Sequence, residues 1–253
     1  PQQLVIIDIQ TLSWQKMFIQ NFYTHRNNQV HVTPDQASQF AKQVANDFNP
    51  IHDPDAKRFC VPGDLLFSLV LSRYGLSQKM CFTFAGMVGK DVPLNFPDSD
   101  DARLVIADDN GKEYLYVDRK GEVSHNLEMI ERFVKSYVAF SGQTFPHLLV
   151  PLMAKHNVMI NPARPLVMYE SMSVDLNTID ITEPSLELSE TNLNVNGKRG
   201  DASVTFFVKC GDEIVGKGVK KLVLSGLREF DQEQIDQVVE SYSENKNRFA
   251  NQL

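Results

Sequence analysis

The sequence predicts an α+β protein made of two similar units in tandem, and three features lead to this prediction. First, residues 34–46 repeat apolar side chains at helical spacing, and a polar break and an apolar helix at 62–75 follow them. Second, apolar residues alternate or cluster at 80–88, 102–108 and 113–119, as antiparallel strands do. Third, the same order of elements recurs in the second half of the 253-residue chain.

The first helix carries its own start signal. Thr33 can cap the helix with its hydroxyl, Pro34 fits the first turn, and Gln36 completes a capping box. The apolar residues that should face a core are Ala37, Phe40, Ala41 and Val44. The next helix, PGDLLFSLVLSRYGL, is apolar on nearly every face, so we expect it to be buried.

The second copy begins with an amphipathic helix at 126–139. The segment SGQTFPH at 141–147 interrupts it, and LLVPLMAKH supplies another apolar helical run. Four strands are then predicted, at 166–176, 185–195, 202–209 and 213–225.

We therefore divide the chain into three parts. Residues 1–123 form the first unit, residues 124–230 form the second unit, and residues 231–253 form a C-terminal helix on the surface. The pattern gives no assignment for residues 1–25. Because 42% of the residues are hydrophobic, a chain of this length can bury a sizeable core.

Composition and charge argue against several classes of function. The 25 basic and 32 acidic residues give a formal charge of −7, which opposes binding to nucleic acid or to anionic membranes. The three cysteines lack CxxC spacing, and His25, His31, His125 and His156 lack metal-ligand spacing, so we expect neither a disulfide framework nor a metal site. No secretion signal or membrane span is apparent, and we expect a cytoplasmic protein.

The most informative segment is ANDFNPIH at 45–52, which Val61, Pro62 and Gly63 follow. DxNPxH after an amphipathic helix, and then a small-residue turn that opens a buried helix, resembles the signature of R-specific enoyl-CoA hydratases and MaoC-like dehydratases. This resemblance implies the hotdog fold, in which a curved antiparallel sheet wraps a central helix, and here a tandem double hotdog. The whole chain also resembles a bacterial family of double-hotdog proteins, which adds no activity.

The chemistry of the hydratases gives a reason for the spacing. Hydration of a trans-2-enoyl thioester needs a base for the water, an acid for the α-carbon and donors for the enolate oxygen. Asp47 and His52 are five residues apart across a turn that Pro50 stiffens, so both can reach one cleft while Asn49 holds the loop. By resemblance, Asp47 and His52 would be the catalytic pair, and the backbone N–H of Gly63 would bind the thioester oxygen.

These assignments have structural alternatives. DxNPxH can be an ordinary turn in which Asp47 caps a backbone N–H and His52 lies on the surface. For Gly63 and Asp64, which would bind or position the oxyanion, the alternative is a helix cap. Two departures from the family bear on acyl-chain preference and on positioning of the catalytic groups: the connection between His52 and Gly63 is short, and Leu71 replaces a serine.

The second unit carries a degenerate copy of the motif. Gln143 stands where the acid should be, Phe145 replaces the asparagine, and Leu148 takes the histidine position. Because an amide cannot act as a base, this copy should be silent, although its unit can still supply walls of a shared pocket. His147 is one residue out of register, and we interpret it as structural.

The sequence leads to two main hypotheses of function. The first is a hydratase or dehydratase that acts on enoyl or 3-hydroxyacyl thioesters of coenzyme A or acyl carrier protein, with no further cofactor. The second is a non-catalytic protein that binds acyl thioesters or another protein through the same cleft, and a thioesterase is a third option. The expected partner is the acyl-thioester substrate. A homodimer of double-hotdog chains is one option for the assembly.

Overall fold

The computed structural model describes residues 18–251, and these residues form an α+β protein. Its strands are β1 (Thr24–Arg26), β2 (Gln29–His31), β3 (Leu76–Phe84), β4 (Arg103–Ala107), β5 (Glu113–Ser124), β6 (Val158–Met159), β7 (Val167–Leu176), β8 (Pro184–Asn196), β9 (Arg199–Cys210), β10 (Glu213–Ser225) and β11 (Arg228–Glu229). Its α-helices are α1 (Pro34–Gln43), α2 (Gly63–Tyr74), α3 (Leu127–Gly142), α4 (Leu149–Lys155) and α5 (Gln232–Ala250). Residues 1–17 of the predicted first unit and residues 252–253 of the predicted C-terminal helix lie outside the described residues.

Seven strands form one antiparallel sheet in the order β4-β5-β3-β7-β10-β9-β8. Strands β3 to β5 come from the predicted first unit, and β7 to β10 come from the second. The two groups join where β3 pairs with β7, with Met80 opposite Val174. The predicted α+β double hotdog is confirmed, and its two sheets are continuous across this strand pair.

The central helix of the first half is α2. All residues from Leu65 to Leu71 are buried, which explains why the helix is apolar on nearly every face. Phe67 packs edge-on against Phe82 of β3 and at a tilt against Tyr137 of α3, with ring centroids 5.1 and 4.6 Å apart. The central helix thus contacts both the sheet and α3.

The capping box predicted at the start of α1 is present. Thr33 Oγ1 accepts a hydrogen bond from the backbone N–H of Gln36 at 3.2 Å, and the backbone N–H of Thr33 donates to Gln36 Oε1 at 3.1 Å. The helix ends at Gln43, three residues before the predicted end, and Asn46 has a φ of 52°. This left-handed residue turns the chain into the polar break.

Three other predicted boundaries are wrong by several residues. Gly75 ends α2 with a φ of 83°, and β3 begins directly after it at Leu76 rather than at 80. β5 continues to Ser124, beyond its predicted end at 119, because it pairs with β3 as far as Leu76. α3 continues to Gly142 rather than ending at 139, so the break before α4 is shorter than expected.

Helices α4 and α5 pack on the second half of the sheet. Leu149 and Met153 of α4 share a buried cluster with Leu222 of β10 and Ile235 of α5. The helix α5 lies in the part of the chain for which a C-terminal helix was predicted, and its Ile235 packs in this cluster. No helix between residues 18 and 251 has both the length and the hydropathy needed to span a bilayer.

Candidate active site

Both halves of the chain and the C-terminal helix line a cavity of about 530 Å³. The first half contributes the break after α1 and the start of α2, while the second half contributes the end of α3 and parts of β7 and β10. Gln237, Val238 and Tyr242 of α5 form a further wall. The ionisable residues that line the cavity are Asp47, His52, Cys60, Asp64, Tyr169, Lys220 and Tyr242.

The break after α1 brings Asp47 and His52 together. Their closest atoms, Asp47 Oδ2 and His52 Nε2, are 3.7 Å apart. The side chain of His52 is 12% exposed and that of Asp47 is 30% exposed, and both line the cavity. The structural alternative is half right: Asp47 caps a backbone N–H, as in an ordinary turn, but His52 does not lie on the open surface.

Hydrogen bonds within the loop fix the two side chains. His52 Nδ1 lies 2.7 Å from the carbonyl oxygen of Cys60, which can only accept, so the ring must carry its proton on Nδ1. In the neutral ring, Nε2 is then an acceptor that faces Asp47. Asp47 Oδ1 accepts from the backbone N–H of Asn49 at 2.9 Å, and Asn49 Oδ1 accepts from that of Ile51 at 3.2 Å. The loop therefore presents two proton acceptors to one small volume.

Gly63 is the first residue of α2. A Cβ atom at this position would lie 2.8 Å from Tyr169 Cδ1 and 3.1 Å from Phe84 Cε1, so the glycine permits these two rings to pack against the helix start. Pro62, which precedes it, makes no side-chain cap. Within residues 18–251, no acceptor is found for the backbone N–H of Gly63, as is usual for the first turn of a helix.

Asp64, the second residue of α2, does not cap this helix. Its Oδ2 atom accepts a hydrogen bond from Ser141 Oγ, at the end of α3, at 2.6 Å. Its Oδ1 atom is buried and has no hydrogen-bond partner in the described part of the chain. Burial raises the pKa of Asp64, although the nearby charge of Lys220 and the bond from Ser141 oppose the rise.

Lys220 of β10 is a cavity residue that sequence reasoning missed. Its side chain is buried, with 5% of the residue exposed, and Nζ donates to Ser141 Oγ at 2.5 Å and to Thr144 Oγ1 at 3.3 Å. Burial lowers the pKa of Lys220, and the carboxylates of Asp64 and Asp47 oppose the change. Hydrogen bonds thus connect Lys220 to Asp64 through the hydroxyl of Ser141.

A sequence signal for Lys220 did exist. Along β10, Gly218, Lys220, Leu222 and Leu224 have the same parity and are all buried, while Lys221 is exposed. A lysine on the inward parity of an otherwise apolar strand indicates a functional or paired cation. The sequence has no comparable signal for Ser141 or Thr144. These residues lie near the end of α3, and only the fold shows that they contact Lys220 of β10.

Tyr242 connects α5 to the motif loop. Its hydroxyl accepts from the backbone N–H of Phe48 at 3.2 Å and donates to the carbonyl oxygen of Asn46 at 3.3 Å. Its ring meets that of Phe48 edge-on, with centroids 6.0 Å apart. Burial raises the pKa of Tyr242 to about 12, and the charge of Asp47 acts in the same direction. The C-terminal helix thus holds both residues that flank Asp47.

The degenerate motif of the second half also borders the cavity. Ser141, Thr144 and Phe145 line it, whereas Gln143 and His147 are exposed and do not. The second half therefore supplies walls of the shared pocket without an acid of its own at position 143. In the first half, Leu71 is fully buried, and neighbouring Ser68 donates within its own helix to the carbonyl oxygen of Asp64 at 2.6 Å.

The remaining ionisable groups give no metal centre. Among residues 18–251, no group of three or more His, Cys, Asp or Glu side chains could hold a metal ion. The thiol of Cys60 donates to the carbonyl oxygen of Val61 at 3.2 Å, and burial raises its pKa to about 11. Cys60 is therefore a neutral thiol at pH 7, and a neutral thiol is a poor nucleophile.

These features define an α+β protein of the hotdog type in which two tandem halves line a common cavity. The chain belongs to the family described as "Protein of unknown function (DUF3581)", whose model matches residues 17–233. No curated protein matches the sequence significantly.

Several solved structures are similar to the chain at low identity. A conserved protein of unknown function with a hotdog fold from Alicyclobacillus acidocaldarius is 8% identical, with 82% of this chain and 97% of that chain covered and a TM-score of 0.43. An acyl-CoA thioesterase II from Mycobacterium marinum is 10% identical, with 85% and 98% covered and a TM-score of 0.40. A MaoC-like dehydratase is 11% identical, with 79% and 97% covered and a TM-score of 0.40. Similarity at this level says nothing about activity.

Proposed function

We propose that this protein hydrates enoyl thioesters and, in reverse, dehydrates 3-hydroxyacyl thioesters carried by coenzyme A or by an acyl carrier protein. The proposed catalytic groups are Asp47 and His52. One observation carries the proposal: a carboxyl oxygen of Asp47 and the ring nitrogen Nε2 of His52 lie 3.7 Å apart in a mainly apolar cavity. The N terminus of the buried helix α2 borders the same cavity.

The geometry of the pair suits a water molecule as the nucleophile. A water between the side chains can donate one hydrogen to His52 Nε2 and the other to Asp47 Oδ2, because both atoms accept hydrogen bonds. When the oxygen of this water adds to the β-carbon of the enoyl group, Asp47 takes up the released proton. The same proton then returns to the α-carbon, so the carboxylate is regenerated and one water has been added. In dehydration, the same groups act in the opposite order.

The start of α2 suits the thioester oxygen, which becomes negative as the enolate forms. The unbonded N–H of Gly63 is the proposed donor, since free N–H groups and the helix dipole favour negative charge at this end. The acyl chain would lie along the apolar lining, which includes Phe48, Leu149, Ile160 and Leu222. The reaction moves only a water molecule and a proton, so it needs no further cofactor.

Hydration of crotonyl-CoA by the full chain tests the proposal. We expect loss of the conjugated thioester absorbance and formation of 3-hydroxybutyryl-CoA, identified by mass spectrometry. His52→Gln should lower the rate by about 10²–10⁴-fold, the usual contribution of an acid–base group. His147→Ala is the matched control, because that ring is exposed and does not line the cavity. The proposal is wrong if neither crotonyl-CoA nor a crotonyl carrier protein gains water.

A second candidate function is a non-catalytic protein that binds acyl thioesters. Leu71, which stands where related hydratases have a serine, is fully buried, and Ser68 is engaged within its own helix. Calorimetry with butyryl-CoA and crotonyl-CoA separates the candidates: binding of both without water addition favours the binder. Release of free coenzyme A thiol would instead identify a thioesterase.

A further inference from the structure

We propose that Asp64 is a second ligand-binding group of this cavity, whose Oδ1 atom donates a hydrogen bond to the carbonyl oxygen of the bound acyl thioester. We further propose that Lys220 and Ser141, both from the second half of the chain, are its positioning residues. The inference rests on the proposed function, because it takes an acyl thioester as the occupant of the cavity.

The first observation is the unpaired oxygen of Asp64. In folded proteins, most buried polar atoms have a hydrogen-bond partner, so an exception on a residue that lines a cavity is a candidate contact for a ligand. Among residues 18–251, the buried side-chain atoms without a partner are Asp64 Oδ1 and Ser77 Oγ. Asp64 lines the cavity, whereas Ser77 does not.

The second observation is the way in which the other oxygen of Asp64 is held. Ser141 Oγ donates to Oδ2 at 2.6 Å, and Lys220 Nζ donates to Ser141 Oγ at 2.5 Å. The ammonium also lies 3.4 Å from the carbonyl oxygen of Ser141 and 3.3 Å from Thr144 Oγ1. Three acceptors match its three donors, so Lys220 has none left for a ligand. Its hydrogen bonds instead orient the Ser141 hydroxyl toward Oδ2, and Oδ1 is left without a partner among the described residues.

The third observation is the place of Asp64 on its helix. It follows Gly63, whose backbone N–H has no acceptor among the described residues, at the N terminus of α2. A carbonyl oxygen has two lone pairs, so it can accept from the Gly63 N–H and from a protonated Asp64 together. Two donors at one oxygen form an oxyanion site that strengthens as the enolate develops.

Burial shifts the pKa of Asp64 in the direction of the protonated carboxyl that such a donor requires. Burial raises the pKa of Asp64, and the carboxylate of Asp47 acts in the same direction. The opposing charges are those of Lys220 on β10 and of His52 when it is protonated. The hydroxyls of Tyr137 on α3 and Tyr169 on β7 also lie near Asp64. They remain neutral because burial raises their pKa values well above the usual range, and the charge of Asp64 acts in the same direction.

Infrared difference spectra of butyryl-CoA labelled with ¹³C at the thioester carbonyl test the inference directly. This ligand is saturated, so no water can add to it and the bound state persists. We expect the carbonyl band to move to lower frequency on binding to the wild-type chain, and the shift to be largely lost in Asp64→Leu. Asp64→Asn should restore most of the shift, because its amide oxygen can accept from Ser141 while its NH₂ group donates to the ligand.

A second readout covers the case in which Asp64→Leu does not fold. The wild-type chain should show the C=O band of a protonated carboxyl that moves when butyryl-CoA binds, and Asp64→Asn, which keeps the size of the side chain, should lack that band. Lys220→Met should still bind butyryl-CoA but give a smaller, broader carbonyl shift. The inference is overturned if butyryl-CoA does not bind, if its carbonyl band does not move, or if Asp64→Leu leaves the shift unchanged.

Hydration of crotonyl-CoA, measured on the same samples, separates this inference from the proposed function. If the wild-type chain shifts the carbonyl band without adding water, the role of Asp64 stands and the hydratase assignment is wrong. If the wild-type chain adds water while Asp64→Leu keeps the full carbonyl shift, the hydratase assignment stands and the role of Asp64 is wrong.

Discussion

Gly142 lies directly against the carbonyl oxygen of Ala45. A Cβ atom on Gly142 would be 1.6 Å from that oxygen, which is far inside any permitted contact. Gly142 ends α3 and Ala45 follows α1, so the breaks of the two motif copies pack backbone to backbone. This contact joins the two halves beside the cavity, and it requires a glycine at position 142.

The first prediction concerns that contact. Gly142→Ala should lower the free energy of unfolding by about 3 kcal/mol or more, because the methyl group overlaps main-chain atoms that a side-chain rotation cannot move. Gly89→Ala is the matched control, since nothing lies within 4 Å of the added methyl and the backbone needs no positive φ. Urea unfolding followed by circular dichroism measures both. Equal midpoints for the two variants would contradict the packing of the two breaks.

The second prediction concerns the link between α5 and the motif loop. Tyr242→Phe removes the hydroxyl that bonds to Phe48 and Asn46, and leaving a buried N–H unpaired costs about 1–3 kcal/mol. Urea unfolding should show this loss, while Tyr116→Phe, whose hydroxyl bonds only to an exposed glutamate, should change little. The rate of crotonyl-CoA hydration should also fall, because Asp47 lies between the two bonded residues. A fully active, fully stable Tyr242→Phe would rule out this link.

The third prediction concerns cysteine reactivity. Burial raises the pKa of Cys60 to about 11, whereas hydrogen bonds with the Glu183 backbone and with Thr182 lower the pKa of Cys210. The thiolate is the reactive form, and at pH 8 only about one Cys60 thiol in a thousand is ionised. Iodoacetamide should therefore modify Cys210 faster than Cys60, and the rate of Cys60 modification should increase as the pH rises toward 11. Peptide mapping by mass spectrometry measures both rates; equal rates in the folded chain at pH 8 would disagree with the buried thiol.

The fourth prediction concerns the degenerate motif. Gln143→Asp restores the acid that the second copy lacks, but this position is exposed and does not line the cavity. The variant should hydrate crotonyl-CoA at the wild-type kcat/KM, and it should not rescue Asp47→Asn when the two changes are combined. Recovery of turnover in the double variant would mean that the second copy has a working site.

Much of the fold could be predicted from the sequence because its signals are local. The capping box at Thr33 and the all-round apolar run of α2 depend on neighbouring residues, and both are present as predicted. The ends of β5 and α3 were predicted wrongly because tertiary contacts set them. β5 is as long as its pairing with β3 allows, and α3 continues until Gly142 meets Ala45.

The residues of the site also differ in how well the sequence alone indicates them. Asp47 and His52 stand five residues apart, so a single turn brings them together and a motif can indicate them. Lys220 and Ser141 are 79 residues apart, and Tyr242 and Phe48 are 194 apart. Nothing in one sequence pairs residues at such separations, so the polar network around Asp64 and the contribution of α5 became visible only with the fold.

The hydration rate of Asp47→Asn tests the central claim most directly, because this change removes the base and keeps the shape of the side chain. We expect the variant to unfold at the wild-type urea concentration and to hydrate crotonyl-CoA about 10²–10⁴-fold more slowly. Hydration at the wild-type rate by a correctly folded Asp47→Asn would show that the carboxylate facing His52 is not the catalytic base.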